Sequence, residues 1–247
     1  MKRFAALRWA VCLVMLAALP GCVSLPKQQA YNREAVPAIK TIAVLPAQSF
    51  EPNVFMMHHP GTNFGLLGGL IAAGDMASKR GKLQAAFAAA SFDPGVYFKD
   101  SLTQRMQERG YTLVWPESLI EAKSAKAARG VNGLRKSYAP AHPADAQLDI
   151  NLNFVGYAAA GAGDSSPYRP TFAVSARLVS ADGKQNYFTD YVVYNNVFNQ
   201  PQSITLEPER RRFAYADFDL LEAAGPQTVE GMKIAIDQAN DALVKQL

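Results

Sequence analysis

The sequence is poor in cysteine. It has two among 247 residues, Cys12 and Cys22, and both lie near the N-terminus. Residues 23–247 therefore contain no thiol. A domain built from them cannot form an internal disulfide bond, use a cysteine nucleophile or hold zinc through thiolates. We expect its stability to come from a hydrophobic core alone.

Histidine is also scarce, which limits the metal and catalytic sites that the chain can build. Of the three histidines, His58 and His59 are adjacent, so on a strand they would point to opposite faces, and His142 is distant. No third metal ligand stands at a recognisable spacing, and there is no GxSxG motif. We expect no metal, no cofactor and no catalytic residue. An envelope hydrolase that combines one of these histidines with carboxylates is the least favoured of three functions considered.

Long apolar runs are missing as well, because a membrane-spanning helix needs roughly 20 apolar residues. The first run, from about Trp9 to Leu19, is too short, but it follows a positively charged start. The three cations there are Lys2, Arg3 and Arg8. A short apolar stretch behind a cationic start is typical of a secretory signal peptide.

The apolar stretch ends at Leu19-Pro20-Gly21-Cys22. In Leu19, Gly21 and Cys22 this end resembles the lipobox of bacterial lipoproteins, and Pro20 departs from the usual pattern. The resemblance implies that residues 1–21 are a lipoprotein signal peptide, recognised through Leu19 and Gly21. It also implies a diacylglycerol on the sulfur of Cys22 and a fatty acid such as palmitate on the new amino terminus. In such lipoproteins of Gram-negative bacteria, an aspartate after the cysteine usually means retention in the inner membrane. Because Val23 follows Cys22 here, the resemblance implies the periplasmic face of the outer membrane.

Without the signal peptide the chain has almost no net charge. The formal charge of the whole sequence is +4, but residues 22–247 carry 22 Lys and Arg against 21 Asp and Glu. The only dense cationic run is Arg210-Arg211-Arg212. Nucleic-acid binding needs a clustered basic face, so we expect no nucleic-acid partner.

The remaining chain divides into a tether and one domain. Residues 22–38 are polar and contain Pro26 and Pro37, which predicts a flexible tether of at most about 50 Å. Residues 39–247 are expected to form a single periplasmic α/β domain, with a mixed sheet of about five strands, helices packed on it and a Gly-rich loop after the first strand. The predicted strands are 39–47, 111–115, 148–154, 172–179 and 187–194, and the predicted helices are one after Asp93-Pro94 and those at 117–129, 211–224 and 228–246.

The Gly-rich segment contains Gly65, Gly68, Gly69 and Gly74 within an otherwise apolar stretch. It lacks both the P-loop and the GxGxxG motif, which argues against a phosphate site. At about ten residues, Phe64 to Ala73 is half of a membrane span. Glycines four apart let another backbone approach closely, so we favour a packing or assembly segment, within the domain or between copies. Contact with the bilayer is the less favoured alternative.

The order of elements in residues 39–247 resembles that of periplasmic α/β lipoproteins. The features concerned are the strand IAVLPA near the tether, a helix that ends in RGY, a hairpin around Asp182-Gly183 and an amphipathic C-terminal helix. The groups it is similar to are the curli-secretion lipoprotein, the lipoprotein activators of penicillin-binding proteins and related uncharacterised lipoproteins. We expect a non-enzymatic accessory protein of the cell envelope, with other envelope proteins as partners and possible homo-oligomers. The alternative is a ring-forming component of an export system.

Overall fold

The computed structural model describes residues 27–247, apart from 35, 37, 123–126, 142, 199 and 210–211. The predicted signal peptide, with Leu19 and Gly21, and the predicted lipid attachment site Cys22 lie outside the described residues, as does His142.

A single mixed sheet of seven strands organises the described residues. The strands are β1 (Thr41–Val44), β2 (Asn53–Met56), β3 (Thr112–Val114), β4 (Ala146–Ala159), β5 (Arg169–Ser180), β6 (Asn186–Tyr194) and β7 (Ile204–Leu206). Their order is β3-β1-β4-β5-β6-β7, and β2 also pairs with β4. Pairing is antiparallel between β4, β5 and β6 and parallel elsewhere. The predicted α/β class with a mixed sheet is confirmed.

Four α-helices accompany the sheet in the described residues. They are α1 (Gly65–Ala89), α2 (Pro94–Glu108), α3 (Phe218–Ala223) and α4 (Pro226–Gln246), and short 3-10 helices occupy Pro60–Phe64, Val131–Gly133 and Asn196–Phe198. Helices α2 and α4 pack against each other, and α4 lies on β5 and β6. Met106 of α2, Leu243 of α4 and Ile150 of β4 line one apolar region of this core. Its burial from water is the main source of stability.

Two local signals have the structures that the sequence predicts. Asp93 caps α2, because its carboxylate accepts hydrogen bonds from the backbone N–H groups of Gly95 and Val96. Gly183 turns the β5–β6 hairpin with a φ of 74°, a left-handed conformation in which glycine has no steric penalty.

Several predicted elements differ from the structure. The predicted helix at 117–129 is wrong for its described residues, because Leu119 and Glu121 instead exchange backbone hydrogen bonds with Ala47. The Gly-rich segment is not a loop but the start of α1. The described residues form seven strands and not five, because β2 and β7, with four and three residues, were not predicted. The helix predicted from residue 211 begins at Phe218, where Asp217 supplies the cap.

Part of the predicted tether is bound to the domain. Gln29 and Thr189 exchange two backbone hydrogen bonds of 2.9 and 3.0 Å, and the side chain of Gln28 donates to Asp190. The guanidinium of Arg33 donates to the carbonyl oxygen of Leu247. The tether expected at 22–38 is therefore too long, since residues 27–33 are joined to the sheet and to the end of α4.

Candidate functional site

The sheet has a break along one edge of β4. On that side, β1 pairs with residues 146–148 and β2 with residues 156–159. Residues 149–155 of β4 pair in the sheet only with β5, on the other side. Residues 45–52, which join β1 to β2, arch past this edge. At the break, the edge of β4 therefore has no paired strand among the described residues, and an unpaired edge is the kind of surface to which an extended chain can add.

A polar pocket of about 360 Å³ lies at this break. Side chains that carry amides or a carboxylate dominate its lining: Gln48, Glu51, Asn53, Asn132, Asn151 and Asn153. An amide side chain offers both a hydrogen-bond donor and an acceptor. Asn53, Asn132 and Asn153 already make hydrogen bonds within the chain. A polar ligand, such as a peptide backbone, would therefore meet chiefly the exposed Gln48 and Glu51.

Asn151 forms the floor of the polar pocket. It is only 6% exposed, and its Oδ1 is buried without a hydrogen-bond partner in the described part of the chain. Gly133 lies directly over it: a Cβ there would be 2.2 Å from Asn151 Nδ2, so only glycine fits. Buried polar atoms are nearly always hydrogen bonded in proteins, so the unpaired Oδ1, covered by Gly133, is an exception to that rule.

The turn that covers Asn151 is held by a buried ion network of Glu121, Arg129, Arg135 and Asp149. Glu121 contacts Arg129 at 3.3 Å and Arg135 at 2.8 Å. Asp149, fully buried, accepts a hydrogen bond from the backbone N–H of Arg135 and lies 3.5 Å from the Arg129 guanidinium. Arg129 also donates to the carbonyl oxygen of Gly133 over 2.7 Å. These bonds hold the turn against β4.

The electrostatics of Asp149 reflect this burial. Loss of water raises the pKa of its carboxyl group, and the Arg135 N–H, the Tyr138 hydroxyl and the two guanidinium groups oppose that rise. Burial and the nearby Asp149 charge also raise the pKa of Tyr138, whose hydroxyl donates to Asp149 over 3.0 Å. The network is therefore a structural support that uses its charges internally.

The sequence pattern did not reveal this arrangement. Alternation along β4 predicts a strand with Asp149, Asn151 and Asn153 on a face in contact with water. Asn153 is exposed, but Asp149 and Asn151 are buried. This prediction was wrong for those two because residues 127–138 fold over them. A fully buried aspartate needs partners, and the nearby arginines at 129 and 135 were the available signal.

An apolar cavity of about 400 Å³ lies on the other side of the arch formed by residues 45–52. Its lining is mainly apolar and comes from the arch, the end of α1, the start of α2 and residues 119–120. Phe50 borders both this cavity and the polar pocket. A change in the position of the arch would therefore affect both.

The four glycines of the Gly-rich segment have different surroundings. Gly68 packs within the chain, because a Cβ there would be 2.0 Å from the carbonyl oxygen of Gly61. At Gly65, Gly69 and Gly74 an added Cβ would have no described atom within 4 Å. Close packing inside the domain therefore explains one of the four.

His59 supports the same segment. Its Nδ1 accepts a hydrogen bond from the backbone N–H of Gly61, and its Nε2 lies 3.0 Å from Asp75 on α1. Nε2 therefore carries the proton, and this N–H donates a hydrogen bond to the Asp75 carboxylate. Burial alone would raise the pKa of Asp75, but hydrogen bonds from Lys79 and His59 outweigh it and lower that pKa. Both ring nitrogens of His59 serve to join the turn to α1.

No protein-family profile matches this chain, and no curated protein has significant sequence similarity to it. The resemblance to envelope lipoproteins therefore stays a prediction. In the part of the chain that the structure describes, no helix has the length and apolar character to cross a membrane. Within the same residues, no group of three or more His, Cys, Asp or Glu side chains is placed to bind a metal ion.

Proposed function

We propose that this chain is a non-enzymatic protein, anchored by lipid on Cys22 to the periplasmic face of the outer membrane, that binds other envelope proteins. The polar pocket would receive an extended segment of the partner. The observation that carries the proposal is the break in the sheet, where the edge of β4 and a set of amide side chains border one pocket.

The chemistry of the pocket favours a polypeptide partner. Main-chain hydrogen bonds to a free strand edge give affinity, and neighbouring side chains give specificity. Asn151 lies at the floor of the pocket, beneath the turn at Gly133. The ion network fixes the turn above it before binding, which reduces the ordering cost of association.

A site-specific cross-linking experiment tests the proposed partner binding. A photoreactive residue at the exposed Gln48, which lines the pocket, is compared with one at the exposed Gln107 at the end of α2. We expect a discrete heterologous adduct from position 48 in intact cells and none from position 107. S49W, which places a large ring in the pocket, should abolish the adduct, while S78W on α1 should not. Adducts that are equal at both positions, or that survive S49W, would contradict the proposal.

The alternative function, a ring-forming export component, is favoured by one observation. Gly65, Gly69 and Gly74 have open space where another backbone could approach. Mass photometry of the detergent-extracted protein separates the two functions. A large closed ring supports the alternative, and a monomer or dimer rules it out.

A further inference from the structure

The first turns of α1 expose a group of large apolar side chains, which we call the apolar tip. The exposed fractions are 77% for Phe64, 83% for Leu66, 75% for Leu67, 63% for Leu70 and 70% for Ile71. Scattered exposed apolar residues are ordinary, but a contiguous group marks an interaction surface. The polar pocket is remote in sequence and does not include these residues.

The apolar tip projects beyond the end of the sheet. Helix α1 runs antiparallel to β2: Gln84 reaches the carbonyl oxygen of Pro52 before β2, and Asp75 contacts His59 after it. The ten residues before Asp75 therefore rise about 15 Å past that contact. Among the described residues, the turn at 60–64 supports them, through Gly61 against Gly68.

The projecting surface carries no acidic or basic side chain. No Asp, Glu, Lys or Arg occurs between residues 57 and 74. Leu66 and Ile71 are five residues apart, so the exposed apolar arc covers about 140° of the helix. Arg80 follows on the exposed surface of the same helix, and Lys82 beyond it is paired with Glu222 at 2.7 Å. A broad apolar surface with a cation behind it suits a lipid interface with anionic headgroups.

The N-terminal segment brings the domain close to the proposed anchor. Because residues 27–33 are bound to the domain, only residues 23–26 lie between Cys22 and Lys27, where the described chain begins. The five steps along the chain from Cys22 to Lys27 span at most about 17 Å. This is about a third of the reach expected for the whole predicted tether, so the domain must lie against the bilayer that holds the lipid.

The N-terminal segment also runs toward the end of the sheet that carries the tip. Gln29 pairs antiparallel with Thr189, and Gln28 bonds to Asp190. Read from Gln29 back to Lys27, the N-terminal segment therefore runs toward the C-terminal end of β6. Because β4, β5 and β6 alternate in direction, that is the C-terminal end of β4 and β2. Helix α1 follows β2 at this end.

We infer that the apolar tip enters the interface of the same bilayer, as a second membrane contact beside the lipid on Cys22. The inference rests on the proposed lipid anchor. A second contact of this kind would fix the orientation of the domain on the membrane, and with it the direction in which the polar pocket faces.

Depth-dependent quenching tests the inference on the full-length, natively lipidated protein. L67C is labelled with an environment-sensitive fluorophore and reconstituted in phosphatidylethanolamine–phosphatidylglycerol vesicles that contain spin-labelled lipid. The matched control is Q107C, at the end of α2 and at the opposite end of the sheet. We expect blue-shifted emission and severalfold stronger quenching at position 67 than at 107. Equal quenching at the two positions would overturn the inference.

Two controls make the other outcomes decisive. Replacement of Leu66, Leu70 and Ile71 by Gln should abolish the quenching at 67, whereas V96Q, V114Q and L220Q, three other exposed apolar residues, should leave it unchanged. Cross-linking from 67 to 67 with a blue shift but no lipid quenching would show that a second copy covers the tip, and would also overturn it.

The anchor is tested separately by the unmodified chain. If Cys22 is lipidated and the signal peptide is removed, that chain has no thiol and takes up no fluorophore. Uptake would mean that the anchor proposal has failed, whatever the probe at position 67 reports.

Discussion

Gln28 Nε2 donates a hydrogen bond to Asp190 Oδ1 over 2.8 Å, and this contact joins the N-terminal segment to β6. The other oxygen, Asp190 Oδ2, is buried without a hydrogen-bond partner in the described part of the chain. Burial raises the pKa of Asp190 to about 6, although the bond from Gln28 acts in the opposite direction. The residue that positions the segment leading to the proposed anchor is thus also a titrating group near neutral pH.

We expect Asp190 to reduce stability as the pH rises. Its pKa in the folded chain lies above the unfolded value of about 3.9, so its stabilising contribution is complete below about pH 4 and is lost as the pH passes about 6. Between pH 4 and pH 7, the free energy of unfolding of D190N should therefore rise relative to that of the natural chain by up to about 2 kcal/mol, with solvent screening allowed for. Urea unfolding at several pH values measures this difference.

D182N is the matched control for that titration. Hydrogen bonds from Ser180 and the Lys184 backbone lower the pKa of Asp182 at the hairpin turn. The contribution of Asp182 to stability is present above the unfolded pKa and is lost as the pH falls. Its pH dependence is therefore opposite in sign to that of Asp190. If the free energy of unfolding of D190N changes with pH in parallel with that of the natural chain from pH 4 to 7, then Asp190 does not have the raised pKa.

Substitutions of neighbouring glycines in α1 should have opposite effects. G68A should destabilise the domain, because a Cβ at Gly68 collides with the Gly61 backbone, and neither backbone can move without disturbing the turn. G69A meets open space and should stabilise α1 by up to about 1 kcal/mol through helix propensity. Thermal unfolding of the two variants checks the pair. Equal shifts in Tm would show that the close contact at Gly68 does not exist.

Removal of one buried cation should loosen the polar pocket. R129M leaves Glu121 and Asp149 short of a partner in a buried site, which typically costs about 3–5 kcal/mol. The surface pair of Lys184 and Asp182 is the control, and K184M should cost less than about 1 kcal/mol. Urea unfolding gives the free energies, and hydrogen exchange should show lost protection at residues 130–135 in R129M alone. Unchanged hydrogen exchange at residues 130–135 in R129M would show that the ion network does not hold the turn over the polar pocket.

Cys22 is expected to account for all of the lipid on the protein. Radioactive palmitate should label the natural chain, and C22A should abolish the label completely. C12A is the control and should leave labelling unchanged, because Cys12 lies within the predicted signal peptide. Residual label in C22A would show that another group is acylated.

The sequence alone determined those elements whose signals are local. Asp93 before Pro94 predicts the start of α2 because a side-chain cap acts within three residues. Asp182-Gly183 predicts the hairpin because a left-handed turn needs a residue without a side-chain penalty. The alternation at 148–154 predicts β4 because the side-chain period of a strand is two. The apolar stripe of α4 follows from its helical period in the same way.

The tertiary structure decided everything that depends on distant residues. The burial of Asp149 and Asn151, the break between β1 and β2 and the pairing of Gln29 with Thr189 all join parts of the chain far apart in sequence. A strand pattern shows which residues share a face but not what covers that face. Composition likewise identified a Gly-rich apolar segment. Only the packing of Gly68 on Gly61 and the exposure of the neighbouring apolar side chains showed which face of the segment is covered and which is exposed.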